Sequence, residues 1–190
     1  MDTKKILKAL EKELDYKRLE HTRGVEFTSA ALAMAHGADM EKARLAGLLH
    51  DCAKGYSDEK KLELCEKYSL PISDVERDNP GLLHAKLGSY LAHKDYEIDD
   101  KEILDAIEWH TTGRPGMSLL EKIVFVADYI EPGRKPLPHI DEVRRLAFAD
   151  IDKAVLQILE DTLTYLGEGS KAVDPMTSKT LEYYKKALDK

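Results

Sequence analysis

The sequence predicts an all-α fold in a single domain over residues 1–190. Three observations support this prediction. Apolar residues recur at the three- and four-residue spacing of a helix face along almost the whole chain. No segment alternates apolar and polar residues in the manner of a half-buried strand, and the stretches rich in proline and glycine are too short to separate domains. A chain of 190 residues is long enough to bury a sizeable core as one domain.

Ten helices follow from this periodicity when the chain is taken in order. Their approximate bounds are residues 6–14, 15–37, 39–49, 57–68, 81–94, 100–110, 118–130, 140–148, 150–166 and 176–189. Gly37 suits a left-handed C-terminal cap, which sets the end of the second helix. Ser118 and Glu121 have the spacing of a capping box, which sets the start of the seventh.

Composition and charge exclude several classes of protein. The sequence is 43% hydrophobic and 34% charged, which is typical of a folded, water-soluble domain. No apolar run approaches the roughly 20 residues that cross a bilayer, and the N-terminus lacks the features of a signal peptide. The formal net charge of −7 argues against non-specific binding of nucleic acid. It leaves room for a small anionic substrate, because bound cations can reverse the local field.

Two further patterns bear on location and assembly. Cys52 and Cys65 lack the spacing of a zinc or disulfide motif, so we interpret both as reduced thiols of a cytoplasmic protein. An apolar stripe on helix 150–166 favours a place in the core, with a homodimer interface as the alternative. The stripe consists of Leu156, Leu159, Leu163 and Leu166.

Two carboxylates interrupt runs that otherwise predict buried helix. Asp51 follows His50 within the apolar stretch 46–53, and Asp128 lies within the apolar stretch 123–130. A buried carboxylate is costly unless it pairs with a cation, accepts several hydrogen bonds or binds a metal. Three more histidines share predicted helix faces with core residues, so a common explanation is needed.

That explanation is a metal site. The six candidate ligands are His21, His50, Asp51, His84, His110 and Asp128. Any one of these histidines taken alone is more often an ordinary core or surface residue, but the joint pattern on separate helices predicts metal. Imidazole and carboxylate ligands together suit iron, manganese, cobalt or zinc. The remaining histidines fit polar or helix-end positions better and are left out; they are His36, His93 and His139.

Five motifs carry a resemblance to a known family. They lie at residues 18–22, 46–54, 83–84, 109–113 and 127–134. In this order the motifs resemble the HD-domain superfamily of metal-dependent phosphohydrolases, over roughly residues 10–180. His-Thr-Thr-Gly at 110–113 and Ala-Asp-Tyr-Ile-Glu-Pro-Gly-Arg at 127–134 resemble its bacterial symmetrical diadenosine tetraphosphatase branch. The resemblance implies an HD-type helical bundle, two metal ions that are commonly iron, and cleavage of diadenosine tetraphosphate into two ADP.

Six ligands exceed the need of one four-coordinate metal, so we predict a two-metal site. Asp51 is the predicted bridging carboxylate. Asp51 and Lys54 are the predicted catalytic residues. The other ligands divide into His21, His50 and Asp128 for one metal and His84 and His110 for the other. A metal-bridging hydroxide is then the predicted nucleophile, and ADP leaves without a strong general acid. Glu131 is set aside as a supporting residue or a salt-bridge partner at a helix end.

The predicted substrate contacts are Arg18, Lys54, Thr111, Arg134, Lys171 and Val173. Lys54 lies one helical turn beyond Asp51, from where its ammonium can reach a metal-bound phosphate. Arg18 and Arg134 are candidate phosphate or ribose contacts, and surface salt bridges are the alternative for both. Lys171 and Val173 are implied by the resemblance alone.

Three other functions compete with this interpretation. The first is a nucleotidase or deoxynucleotide phosphohydrolase with the same fold, which activity on mononucleotides alone would reveal. The second is a regulatory module that binds a nucleotide without cleaving it; such modules usually lose ligands, whereas all six positions are filled here. The third is a metal-free scaffold, which would leave the two buried carboxylates unexplained.

Overall fold

Residues 3–167 and 173–189 are described by the computed structural model, and within them the secondary structure is entirely helical. The helices are α1 (Thr3–Glu13), α2 (Tyr16–His36), α3 (Met40–Leu49), α4 (Asp58–Lys67), α5 (Asp74–Asp78), α6 (Leu83–Tyr96), α7 (Lys101–Glu108), α8 (Leu119–Ile130), α9 (Ile140–Ala149), α10 (Ile151–Gly167) and α11 (Pro175–Leu188). A 3₁₀ turn, Pro80–Leu82, precedes α6. The all-α prediction is therefore confirmed.

Local signals set the helix ends where the sequence predicts them. Gly37 caps α2 in the left-handed conformation, with φ of 71°. Ser118 and Glu121 form the predicted capping box of α8, each side chain bonding the other residue's backbone N–H. The ten predicted helices omit α5, which has five residues and therefore no apolar periodicity to detect.

The apolar helix α8 lies at the centre of the bundle. It packs against α2, α3, α7 and α10, and its central residues Ile123, Val124 and Val126 are fully buried. Helices α2 and α3 approach closely at Gly47, where a Cβ atom would lie 3.0 Å from the Val25 carbonyl oxygen. This close approach places the end of α3 beside α2 and α8.

The stripe on α10 serves the core in part. Leu159 is fully buried in the core, and Leu156 is partly buried against it. A homodimer stays a prediction. No helix within residues 3–167 and 173–189 combines the length and apolar character needed to cross a bilayer.

Candidate metal centre

Five segments of the bundle bring the six predicted ligands to one place. His21 lies in the second turn of α2, and His50 and Asp51 follow the last residue of α3. The others lie at helix ends: His84 in the first turn of α6, His110 just beyond α7, and Asp128 in the last turn of α8. Three overlapping groups of these side chains each bring three ligand atoms within 4.8 Å of one another.

Asp51 stands between two pairs of histidines, with one carboxylate oxygen facing each pair. Its Oδ2 lies 3.5 Å from Nε2 of His50 and 3.9 Å from Nε2 of His21. Its Oδ1 lies 3.3 Å from Nε2 of His84 and 3.6 Å from Nε2 of His110. This is the arrangement required of a carboxylate that bridges two metal ions.

Asp128 completes the pair on the Oδ2 side of Asp51. Its Oδ1 lies 3.0 Å from Nε2 of His21 and 3.8 Å from Nε2 of His50. His21, His50 and Asp128 thus lie on one side of Asp51 and two histidines on the other, and the division of these residues between two metals stays a prediction.

Hydrogen bonds at Nδ1 turn every Nε2 atom toward the centre. His50 Nδ1 donates to the Gly47 carbonyl oxygen at 2.7 Å, and His84 Nδ1 to that of Gly81 at 2.6 Å. His110 Nδ1 donates to the Ile107 carbonyl oxygen at 2.7 Å. Because Nδ1 is the protonated atom in each case, the lone pair of Nε2 is free to bind a cation.

The inward-facing atoms fit divalent transition metals. Nε2 of His21, Nε2 of His50 and Oδ1 of Asp51 are buried and make no hydrogen bond of acceptable geometry to any part of the chain that the structure describes. Nε2 of His84 lies 3.1 Å from Nε2 of His110, which places two lone-pair nitrogens against each other. Buried polar atoms left in this way are costly, and a shared cation satisfies them.

Burial keeps two of the histidines in the neutral form that binds metal. Burial lowers the pKa of both His50 and His84 to about 4, so these imidazoles are neutral at pH 7. Burial alone would raise the pKa of Asp51, but its interactions with His50, His110 and His84 outweigh burial and hold that pKa well below its usual range.

Comparison with known proteins assigns this chain to a family. A family model described as HD domain matches residues 18–133, a range that contains all six candidate ligands. The symmetrical bis(5'-nucleosyl)-tetraphosphatase of Bacillus subtilis strain 168 is 39% identical over 183 residues, 96% of this chain and 97% of that protein. This chain belongs to the HD-domain family, in its symmetrical tetraphosphatase branch.

Two further proteins resemble this chain over nearly its whole length. The symmetrical bis(5'-nucleosyl)-tetraphosphatase of Staphylococcus aureus strain NCTC 8325 is 35% identical, with 97% of this chain and 95% of that protein covered. A crystal structure from Clostridium acetobutylicum, described as a predicted HD superfamily hydrolase involved in NAD metabolism, superposes with a TM-score of 0.95. That protein is 41% identical, and the match covers 98% of each chain.

Three cationic side chains surround the HD-domain centre. Lys54 Nζ lies 3.1 Å from Nε2 of His84, and burial lowers the pKa of this lysine. Arg18 donates to Oδ2 of Asp51 at 2.7 Å, and Arg134 contacts Oδ1 of Asp128. All three therefore stand beside the ligands instead of pairing with surface carboxylates, the alternative weighed for the two arginines.

Of the remaining predicted substrate contacts, the structure places one at the centre. Thr111 Oγ1 lies 3.2 Å from Nε2 of both His84 and His110, at the centre. Val173 is partly buried just before α11, and its role stays a prediction. Lys171 lies outside the described residues. The three excluded histidines bond elsewhere: His36 to Ala147, His93 to Ile98 and His139 to Asp161.

Two features of the site are missed by sequence reasoning. A mainly apolar groove of about 350 Å³ begins at Thr111 and Thr112 and runs along Tyr129, Leu137 and Tyr165. Its lining comes from six separate stretches of the chain, between Asn79 and Thr177, so no local pattern predicts it. The second feature is Glu131, whose side chain bonds to His21; its motif identifies the residue but not this contact.

Proposed function

We propose that this protein hydrolyses diadenosine tetraphosphate to two molecules of ADP at a two-metal centre. The observation that carries the proposal is the position of Asp51, whose two oxygens face two separate pairs of histidines. The names of the relatives from B. subtilis and S. aureus describe symmetrical cleavage of this substrate class. Iron is the proposed metal, with manganese, cobalt and zinc as alternatives that the same ligands suit. We place the protein in the cytoplasm, in keeping with its two free cysteines.

The residues of the chain would hold the polyphosphate against the centre. Bound divalent metals would polarise phosphate oxygens and lower the pKa of an attacking water. Lys54 would donate to the transferring phosphoryl group, where negative charge must be stabilised. Arg18 and Arg134 would bind phosphate oxygens on the flanks, and the Thr111 hydroxyl would donate from the other side. ADP leaves as a phosphate anion, so little general-acid catalysis is needed.

The groove beside Thr111 suits one nucleoside of the substrate. Its wall combines the aromatic ring of Tyr165 with the aliphatic side chains of Leu137 and Leu166, against which a purine can pack. Because the groove begins at Thr111, a nucleoside there leaves its phosphates beside His84 and His110. Attack on the second phosphorus from that nucleoside then gives ADP on both sides of the cut.

Product analysis tests the proposal. The protein, with its metal content measured, is incubated with diadenosine tetraphosphate in water enriched in ¹⁸O, and the nucleotides are separated and weighed by mass spectrometry. ADP is expected as the sole product, with one ¹⁸O atom in one of every two ADP molecules. An Asp51→Ala variant is expected to form no ADP.

Other products would contradict the proposal in distinct ways. ATP plus AMP would overturn the point of attack. Cleavage of mononucleotides alone would favour the nucleotidase alternative. Binding of the dinucleotide by the metal-loaded protein without cleavage would favour a regulatory module.

A further inference from the structure

Glu131 is a buried acidic residue that follows α8 directly, three residues beyond Asp128. Only 3% of its surface is exposed. Its Oε1 accepts a hydrogen bond from Nδ1 of His21 at 3.1 Å, and its Oε2 accepts the Gly133 backbone N–H at 2.6 Å. The carboxylate thus joins one metal ligand to the loop that carries Arg134.

Two glycines make the space that this carboxylate fills. A Cβ atom on Gly24, in α2, would lie 2.4 Å from Oε2 of Glu131 and 3.1 Å from its Cδ. A Cβ atom on Gly133 would lie 3.0 Å from Oε2. Gly24 lies within a helix, where alanine is normally the better residue. A glycine at this helical position therefore indicates that the space beside it is needed for the Glu131 carboxylate.

Helix capping does not account for the side chain of Glu131. The capping bonds at this end of α8 come from its backbone: its N–H bonds to the Ala127 carbonyl, and its carbonyl accepts from the Arg134 N–H. Any residue other than proline could supply both bonds. Within the described residues 3–167 and 173–189, the hydrogen-bond partners of the carboxylate are instead groups that lead into the centre, His21 Nδ1 and the Gly133 N–H.

We propose that Glu131 is a positioning residue that sets His21 and the Arg134 loop in one arrangement, and that Gly24 is required to seat it. A carboxylate that accepts from Nδ1 fixes the imidazole orientation and makes Nε2 a stronger ligand. The same carboxylate binds the Gly133 N–H, which fixes the backbone next to Arg134. The Arg134 side chain is thereby positioned to contact Asp128. The inference rests on the metal centre of the proposed function, not on the identity of the substrate.

Paired variants with matched controls test this role. Glu131→Gln keeps the shape but offers one oxygen to two donors, and Gly24→Ala displaces the carboxylate while changing no polar group. The controls are Glu121→Gln, which alters a buried glutamate in the first turn of α8, and Gly88→Ala, whose added Cβ would meet no atom closer than 3.5 Å. Metal-free proteins are titrated calorimetrically with Mn²⁺.

Wild type is expected to bind two Mn²⁺ ions. In both test variants the affinity of one site should fall about 10- to 100-fold, while the other site changes less than about threefold. KM for the dinucleotide should also rise, because the Arg134 loop loses its anchor. Both controls should retain two sites of wild-type affinity, even if Glu121→Gln lowers thermal stability.

Two wild-type Mn²⁺ affinities in either test variant would overturn the proposal, whatever happens to activity. Equal weakening of both sites would do so as well, because it would indicate a general structural role. Gly24→Ala keeps the test open if Glu131→Gln fails to fold, since alanine favours helix at this position. Wild type that binds two Mn²⁺ ions without cleaving dinucleotides would refute the proposed function and leave this test intact.

Discussion

At the scale of single residues, the four candidate histidine ligands are oriented in two different ways. Three of them donate from Nδ1 to the carbonyl three residues earlier, at Gly47, Gly81 and Ile107, each in a helix end or a short turn. Carbonyls there are left free by the helix ladder and can accept a side-chain donor. His21 lies inside α2, where the carbonyls are already used, so its acceptor must come from another segment.

Removing the charge of Asp51 should dismantle both halves of the centre. Asp51→Asn keeps the shape of the side chain but replaces one of the two anionic oxygens that face the histidine pairs. We expect fewer than two metals per chain and a loss in kcat/KM of more than about 1000-fold, since a metal centre supplies several kcal/mol of transition-state stabilisation. Metal analysis with steady-state kinetics checks this, and the exposed Asp78→Asn is the control. Full metal content with normal kinetics would contradict the bridging role.

Lys54 should affect turnover without affecting metal content. Its ammonium lies beside His84 but is not a ligand, so Lys54→Met removes a positive charge while both metals stay bound. We expect kcat to fall about 100-fold, the usual effect of removing one donor to a developing anion. Partial recovery in Lys54→Arg would support an electrostatic role. A change in KM alone would show that the lysine binds the substrate ground state instead.

At the scale of helices, the centre depends on how closely α3 lies against α2. Gly47→Ala places a Cβ atom 3.0 Å from the Val25 carbonyl oxygen and 3.2 Å from Cα of Glu26, so one helix backbone must move. We expect a loss of about 1–3 kcal/mol in the free energy of unfolding, despite the gain in helix propensity. Metal affinity should fall too, because α3 leads directly into His50 and Asp51. Urea unfolding of the metal-free protein and Mn²⁺ titration check both effects, with Gly88→Ala as the control.

Apolar periodicity made both the long helices and the candidate ligands predictable. It did not reveal α5 or the contact between Glu131 and His21. Long apolar periodicity and the Ser118 capping box mark helices in the chain itself, and Asp51 and Asp128 stand out because they interrupt such periodicity. The five-residue α5 is too short to show a period, although its Ser73–Glu76 capping box is a usable signal. The contact between Glu131 and His21 spans 110 positions and depends on α2 and α8 packing together, which no local pattern encodes.

At the scale of the whole molecule, an acidic protein concentrates cationic groups at one centre. The chain carries a formal charge of −7, yet Arg18 and Arg134 pair with the carboxylates of Asp51 and Asp128, and Lys54 lies beside His84. Surface charge therefore says little about the local field that a polyphosphate meets. The same centre also joins distant parts of the fold, because its ligands come from α2, the end of α3, α6, the end of α7 and α8.

Metal removal should therefore destabilise the whole domain. Ions that bind only the folded state add about 4 kcal/mol of stability at a concentration 1000 times Kd. In a domain of this size, each kcal/mol corresponds to about 2–4 °C in Tm, so chelation should lower Tm by on the order of 10 °C. Scanning calorimetry before and after EDTA, and after Mn²⁺ is restored, measures this shift. Asp51→Asn should show a much smaller response. An unchanged Tm in protein verified to have lost its metal would mean that the five segments hold the centre in place without it.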